Sequence, residues 1–509
     1  MCQIRDSSGP YGPKGYHYHE RSTADCPAAT TERPAVVHER HTTRVAEIVL
    51  DIEHLNTSGD GVARHRGQII TVPFTIPGER VRVSLDRSRT HAATLLEVVR
   101  ASPHRVQPGC AHFGVCGGCA WQHIAYPEQL RLKTEMVNRL VKRALPKAPA
   151  ALPMIAATPI EDPWHYRQKA HFVFGPPSPG GVGGPGSRAS RGGGSGRGGL
   201  IMGHYARGSR RVMAVRECPV HDERGNTVAF GLFDAYSKVS GRNGLPTLKS
   251  IAIRVSSSTH ETMATLVVTD NSDQRLRSAT RQALSAPWAP SSFHVNEHPR
   301  GDAYIFGRET RRITGTERLR DEVSGATFLM SPTAFFQTNV RAAEILVRLV
   351  LDAVPADVSV LDLYAGAGLF ALPLAKRGQR VTAVEANRAA VEDGEASLRV
   401  SRIPPEDCRF VAKPVSTFTP AFADGLRRGR LVPAVILDPP REGCEAVVLD
   451  DVFGRIRPAD AVYVSCNPET LARDLQMIVR HGYAIQSMQP VDMFPHTPHI
   501  ETVVAVRRT

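Results

Sequence analysis

From Thr43 to about Val99 the apolar residues fall in short alternating runs, "AEIVLDIEHL", "GQIITVPFTI", "ERVRVSLDRS" and "ATLLEVVR", parted by turns at Ser58-Gly59-Asp60-Gly61 and Pro77-Gly78. Alternation on this scale predicts strands, and several strands so spaced predict a small β-barrel over residues 43–101. Residues 1–42 carry no such period; polar and rich in His, Arg, Thr and Pro, they read as a disordered tail. A middle region, 102–340, is interrupted at 175–199 by "GPPSPGGVGGPGSRASRGGGSGRGG". That stretch joins the strands "KAHFVF" and "LIMGHYA", so it is expected to be an overgrown, flexible hairpin tip. At about Arg341 the period changes to alternating helix and strand. Helix "RAAEILVRLVLDAV" leads to strand "SVLDLYA", helix "GLFALPLAKRG" and strand "RVTAVEA"; strands "AVILDPP", "AVYVSC" and "ETVVAVRR" come later. This is the pattern of a doubly wound α/β domain over 341–509.

Composition narrows the class. The 509 residues carry 63 Lys and Arg against 50 Asp and Glu, a net charge of +13, which favours a polyanionic partner. No apolar run reaches the roughly 18 residues that span a bilayer, and the start of the chain lacks the apolar segment of a signal peptide. A cytoplasmic protein with no membrane partner, and a monomer, are expected. The nine cysteines, odd in number and partly clustered, suit metal binding or catalysis better than a disulfide framework.

Two strand ends carry the first chemistry. Asp362-Leu363-Tyr364-Ala365-Gly366-Ala367-Gly368-Leu369-Phe370-Ala371 sets G-x-G-x-x-A between a strand and a helix, and Glu385 ends the next strand 19 residues beyond Gly366. Glycines there allow a sharp turn and close ligand approach, and the carboxylate can bond ribose hydroxyls. The motif implies an adenosine-containing cofactor without choosing between a dinucleotide and S-adenosylmethionine. Asp438-Pro439-Pro440 ends a further strand, and Arg441 stands where enzymes that methylate exocyclic amines usually carry an aromatic residue. The strand "AVYVSC" ends on Ser465-Cys466-Asn467-Pro468; a lone Cys at such a place is commonly a small buried apolar residue.

The three cysteines Cys110, Cys116 and Cys119, spaced C-x5-C-x2-C, with Cys218 about a hundred residues on, suit zinc or an iron–sulfur cluster equally by spacing. A radical S-adenosylmethionine enzyme would use C-x3-C-x2-C.

Taken together, Gln337 and Asn339 in "SPTAFFQTN", the glycine loop, Asp438-Pro439-Pro440-Arg441, Ser465-Cys466-Asn467-Pro468 and "DMFPHTPHIE" ending in Glu501 resemble the bacterial RNA (uracil-5-)-methyltransferases. The pattern Gly59 to Ala63, Gly67 and Pro77-Gly78-Glu79 resembles a TRAM domain, an OB-like RNA-binding barrel. The resemblance covers almost everything from Thr43 onward. It implies a Rossmann-like methyltransferase domain using S-adenosylmethionine, an N-terminal TRAM barrel and a central α+β domain bearing a [4Fe–4S] cluster on Cys110, Cys116, Cys119 and Cys218, with zinc the alternative. By the same resemblance Cys466 is the nucleophile that adds to uracil carbon 6 and Glu501 the base that removes the carbon 5 proton. Tyr364, Gly366, Gly368 and Glu385 would hold the cofactor, and Gln337 and Asp438 line the shared pocket. Cys466 is expected to be a thiolate of lowered pKa, aided by the helix after Pro468, and the target base must be single-stranded or flipped out. Phe335 and Phe336 are candidates to stack on it or to sit in the core. His496 and His499 are expected to have structural or RNA-contacting roles.

TRAM and the four cysteines together favour 23S ribosomal RNA as substrate, because the transfer-RNA branch generally lacks both; transfer RNA is the alternative. Two other classes remain open. A non-catalytic RNA-binding protein with a vestigial domain leaves the intact Cys466, Glu501 and Asp438 unexplained. An NAD-dependent oxidoreductase leaves Ser-Cys-Asn-Pro and the barrel unexplained.

Overall fold

The computed structural model describes residues 46–85, 91–176, 199–241, 244–299, 305–426 and 432–509. The expected tail (1–42) and nearly all of the glycine-rich tip (177–198) lie outside the described residues.

The first six strands show how the alternation works. In Arg80–Leu85, Val81 and Val83 are buried while Arg80 and Arg82 face solvent. Ala46–Asp51, Arg80–Leu85 and Ala93–Arg100 form one small sheet, and His54–Leu55, Gly61–His65 and Gln68–Val72 a second, joined by a bridge between Thr71 and Ala92. Leu50, Ile52, Ala63, Ile70, Val72, Val81 and Val83 fill the space between them, which is the expected small barrel.

A seven-stranded sheet follows. Lys169–Gly175 and Ile201–Tyr205 pair antiparallel, Val173 opposite Gly203 and Gly175 opposite Ile201, so the glycine-rich segment does connect the two arms of a hairpin. Helices Glu223–Val239 and Gln274–Ala283, each capped by an aspartate (Asp222 and Asp273), cover one face over Phe172, Leu232, Tyr236, Leu266 and Phe293.

The C-terminal sheet positions the site. Its order is Cys408–Ala412, Val381–Glu385, Val360–Leu363, Ala434–Leu437, Asp460–Ser465, Glu501–Arg508, Tyr483–Asp492 and Ile155–Ala156. The first five strands run parallel, and Glu501–Arg508 lies antiparallel between its two neighbours. The chain leaves Val360–Leu363 in one direction and resumes on its other side at Ala434–Leu437. A crevice opens at such a reversal, beyond the carboxyl ends of the strands. Val360–Leu363 and Ala434–Leu437 are buried throughout, as strands covered on both faces must be. Helix Val340–Ala353 packs Leu346, Val347 and Val350 into one core. Helices Tyr126–Ala144 and Pro468–Arg480 close the other with Leu132, Met136, Val137, Leu471 and Leu475. The helix expected at "GLFALPLAKRG" is only Ala371–Lys376, since the turn around Gly366 and Gly368 takes the residues before it.

Helix Tyr126–Ala144 is fastened to this sheet by an ion pair out of reach of water. Lys133 Nζ donates to Asp492 Oδ1 at 2.6 Å and to the Phe494 carbonyl at 3.1 Å. Among the described residues no helix is long and apolar enough to cross a membrane.

Candidate active site

The turn after Val360–Leu363 is built from left-handed residues: Tyr364 at φ 63°, Gly366 at 55° and Gly368 at 90°. The two glycines do different work. A Cβ on Gly366 would enter open space, whereas one on Gly368 would come within 2.4 Å of Leu372 Cδ1 and 2.8 Å of Phe410 Cζ. Gly366 faces the crevice; Gly368 lets the turn pack on the layer behind it and does not line the cavity. Glu385, ending the neighbouring strand, is fixed by two backbone donors, Gly366 N–H to Oε2 at 2.9 Å and Asn387 N–H to Oε1 at 2.7 Å.

A cavity of about 580 Å³ occupies the crevice, lined by Gln337, Tyr364, Gly366, Glu385, Asp438, Cys466 and Glu501 among others. All the residues expected at the cofactor and at the reaction therefore converge, Gly368 excepted. Its size is that of a small-molecule site, with Ala365, Ala367, Leu369 and Ala390 as apolar wall and Glu385 and Asn387 as polar end. That donor set fits an adenosine-bearing ligand.

Sheet register brings Cys466 and Glu501 together. Ser465 pairs with Thr502 across the antiparallel strands, so Cys466, one residue on, and Glu501, one residue back, occupy the next position of the same ladder. Asp438 ends the adjacent parallel strand, where Leu437 pairs with Tyr463. The loop bearing Cys466 is pinned: Asn467 Nδ2 donates to the Arg441 carbonyl at 3.0 Å, and the Asn467 side chain accepts from Glu469 N–H, capping the following helix.

The electrostatics of the pocket differ from expectation. Burial, then the charges of Glu501 and Asp438, push the Cys466 thiol up to about 12, with Arg441 opposing. The thiol is therefore not lowered. Two carboxyls share its pocket, and Asn467, not the thiol, takes the helix N-terminus. Burial pushes Asp438 up to about 7. Burial, with Asp438 adding and Arg441 opposing, pushes Glu501 up to about 8.

Cys466 and Arg441 also wall a second cavity of about 390 Å³ on the other side. Thr57 and Ser58 of the barrel, Gly117, Gly118 and Cys119 of the cysteine loop, and Arg207 complete it. Arg207 ties these parts together, donating to Asp60 Oδ1 at 2.6 Å and lying over the Phe74 ring at 4.7 Å. Thus Cys466 lines both the crevice and a groove where three parts of the chain meet.

The family-model comparison decides what this arrangement belongs to. A model described as tRNA (uracil-5-)-methyltransferase matches residues 255–509, and a TRAM domain model matches 42–94. The chain belongs to the RNA uracil-5-methyltransferase family. It is an S-adenosylmethionine-dependent RNA methyltransferase. Similar proteins include an uncharacterized RNA methyltransferase of Gloeobacter violaceus, 31% identical over 91% of this chain and 96% of its own. Another, of Thermosynechococcus vestitus, is 32% identical over 90% and 97%. Among solved structures, that of the Pyrococcus abyssi tRNA (uracil-54, C5)-methyltransferase in complex with S-adenosyl-L-homocysteine superposes with a TM-score of 0.68 at 24% identity. It covers 90% of this chain and 100% of that one.

In this uracil-5-methyltransferase the aromatic pair of "SPTAFFQTN" divides its labour. Both line the crevice, but Phe336 is buried against Phe328 at 5.1 Å between ring centroids, while Phe335 is 70% exposed. Asn339 is a helix cap, accepting from Ala342 N–H and donating to the Met493 carbonyl. His496 stacks on Trp164 at 4.0 Å and takes the Gln129 side chain, a structural role. His499 faces Arg441, its Nδ1 3.3 Å from the guanidinium.

The four predicted ligand cysteines are free thiols, none more than partly exposed. Backbone N–H groups of His112 and Gly118 point at the sulfurs of Cys110 and Cys116, both at 3.4 Å. Burial, with the charges of the other three cysteines adding, pushes Cys218 up to about 12. Among the described residues no three of these four sulfurs lie within 4.8 Å of one another. Around a single zinc, with Zn–S of about 2.3 Å, they would be about 3.8 Å apart.

Sequence reasoning missed Arg207, Asn387 and the barrel residues Thr57 and Ser58. None carries a local signal, because each reaches its place through the tertiary fold.

Proposed function

We propose that the enzyme methylates carbon 5 of a uridine in 23S ribosomal RNA through a covalent adduct between Cys466 and uracil carbon 6. The observation that carries this reading is the convergence of Cys466 and Glu501 in one pocket, with Cys466 also walling the groove. Uracil carbon 5 is a weak nucleophile. The Cys466 thiolate adds to carbon 6, and the electron pair released makes carbon 5 able to attack an electrophilic methyl group. S-adenosylmethionine, when bound over Glu385 and Gly366, supplies that methyl on a sulfonium. Glu501 then takes the proton left on carbon 5, the carbon 5–carbon 6 double bond re-forms, and the thiolate departs. Arg441, which opposes the rise of both pKa values, holds the two groups nearer their reactive, deprotonated forms. Phe335 is placed to stack on the extruded base.

Cys110, Cys116, Cys119 and Cys218 are the residues that would hold a [4Fe–4S] cluster. The family resemblance supports that choice over zinc, and backbone N–H groups aimed at Cys110 and Cys116 suit sulfur ligands of either. Methyl transfer moves no electron through it, so its work here is to shape the groove wall at Gly117–Cys119.

Cys466→Ala is expected to abolish both methylation and the adduct, and Glu501→Gln to accumulate the adduct as a slow band on a denaturing gel; turnover by Cys466→Ala would overturn the mechanism. Transfer RNA is the second reading, since the Pyrococcus abyssi tRNA enzyme shares this whole architecture. Domain content alone therefore does not select the RNA. Mapping 5-methyluridine in total RNA of a deletion strain tests the choice: loss from 23S rRNA is expected, and loss from transfer RNA would reverse it.

A further inference from the structure

Behind the cysteine loop lies a donor set that methyl transfer does not use. His204, Cys218 and His221 bring three ligand atoms within 4.8 Å of one another. His204 belongs to the hairpin strand Ile201–Tyr205, and Cys218 and His221 form a C-x2-H step just before the Asp222 cap. The ring of Phe172 sets both imidazoles, stacked on His204 at 5.0 Å and edge-on to His221 at 5.3 Å. Neither His204 Nε2 nor His221 Nδ1 has a hydrogen-bond partner, and both atoms are shut off from solvent. Buried polar atoms are rarely left so.

We propose that His204, Cys218 and His221 form a mononuclear site for a divalent ion of borderline softness, of the zinc or ferrous class, that competes with the four-thiol cluster for Cys218. One thiolate and two imidazoles are a ligand set such ions accept, with a fourth position open. A sulfur engaged by one set is withdrawn from the other, so cluster and ion exclude each other at Cys218. This exclusion rests on the four-cysteine reading above; the ion site itself does not. Its consequence is that loss of the cluster leaves the hairpin and helix Glu223–Val239 still joined through a metal.

Cobalt(II) titration of full-length protein, freed of iron by a chelator, tests this. One equivalent should bind with a thiolate-to-cobalt charge-transfer band and tetrahedral visible bands. The signal should persist in Cys110→Ser/Cys116→Ser, which cannot hold the cluster, and be lost when His204→Gln or His221→Gln is added to that double variant. Unchanged S-adenosylhomocysteine affinity of the histidine variants shows that they are folded. Cobalt bands that survive both histidine variants, bands lost in Cys110→Ser/Cys116→Ser, or no cobalt binding by folded wild-type protein would each overturn the site. Failure of iron–sulfur reconstitution in wild type with the cobalt result intact would instead remove the cluster reading alone.

Discussion

Lys133→Met is expected to be among the most damaging single changes outside the reaction site. Lys133 and Asp492 are both 0% exposed and 2.6 Å apart, so neither charge can be rescued by water when the other is removed. Breaking a buried pair of this kind costs about 3–5 kcal/mol, against a total domain stability of about 5–15 kcal/mol. The lesion also reaches the reaction. Lys133 holds the Phe494 carbonyl, and the segment from Phe494 to Glu501 carries His496, His499 and the proposed base. Urea denaturation followed by fluorescence should show the midpoint falling by a large fraction, with methylation lost in parallel. Lys133→Met/Asp492→Asn should recover most of the loss, because no unpaired charge remains. A single variant that costs under about 1 kcal/mol, or a double variant as unstable as the single, would refute the assignment of stability to charge pairing.

Phe336→Ala should lower stability by about 3–5 kcal/mol as a core truncation, whereas Phe335→Ala should leave the denaturation midpoint in place and raise KM for RNA; equal effects on stability would undo the division between them. Gly368→Ala should cost about 1–3 kcal/mol through the clash with Leu372 and Phe410, while Gly366→Ala should chiefly weaken S-adenosylhomocysteine binding, read by calorimetry. kcat/KM reports the free enzyme. Both Glu501, at about 8, and Cys466, at about 12, act only when deprotonated, so kcat/KM should climb between pH 6 and 9. Arg441→Gln removes the cation that lowers both and should move that limb to higher pH; a flat profile, or a shift to lower pH, would contradict the electrostatic assignment.

The reaction site was legible in the sequence because its residues sit at strand ends, where a change of hydrophobic period meets an unusual residue type: Glu385, Asp438 and Cys466 each close an apolar run. The barrel strands were legible for the same reason, their alternation being enforced by one wet and one dry face. What escaped was whatever depends on long-range packing. The pKa of Cys466 follows from two carboxyls delivered by other strands, which no window around "VSCNP" contains. Arg207 reads as one of many arginines until the hairpin carries it to Asp60 and Phe74. Phe335 and Phe336 are identical in type and adjacent in sequence, and only the side on which Phe328 lies separates them. Gly368 matched a ligand-binding motif yet serves packing, because one motif serves both a ligand and the layer beneath it.

The ladder position shared by Cys466 and Glu501 has a consequence for how such an enzyme can change its target. The spacing of the proposed nucleophile and base follows from the register of Asp460–Ser465 against Glu501–Arg508, whose last pair, Ser465 with Thr502, lies one position before them. The residues that line the groove (Thr57, Ser58, Gly117–Cys119, Arg207) lie on other elements altogether. Recognition can therefore be rewritten by insertion or substitution in those loops with the bond-making geometry left untouched. A single-residue deletion within Asp460–Ser465 or Glu501–Arg508 would instead turn one of the two groups to the opposite face of the sheet.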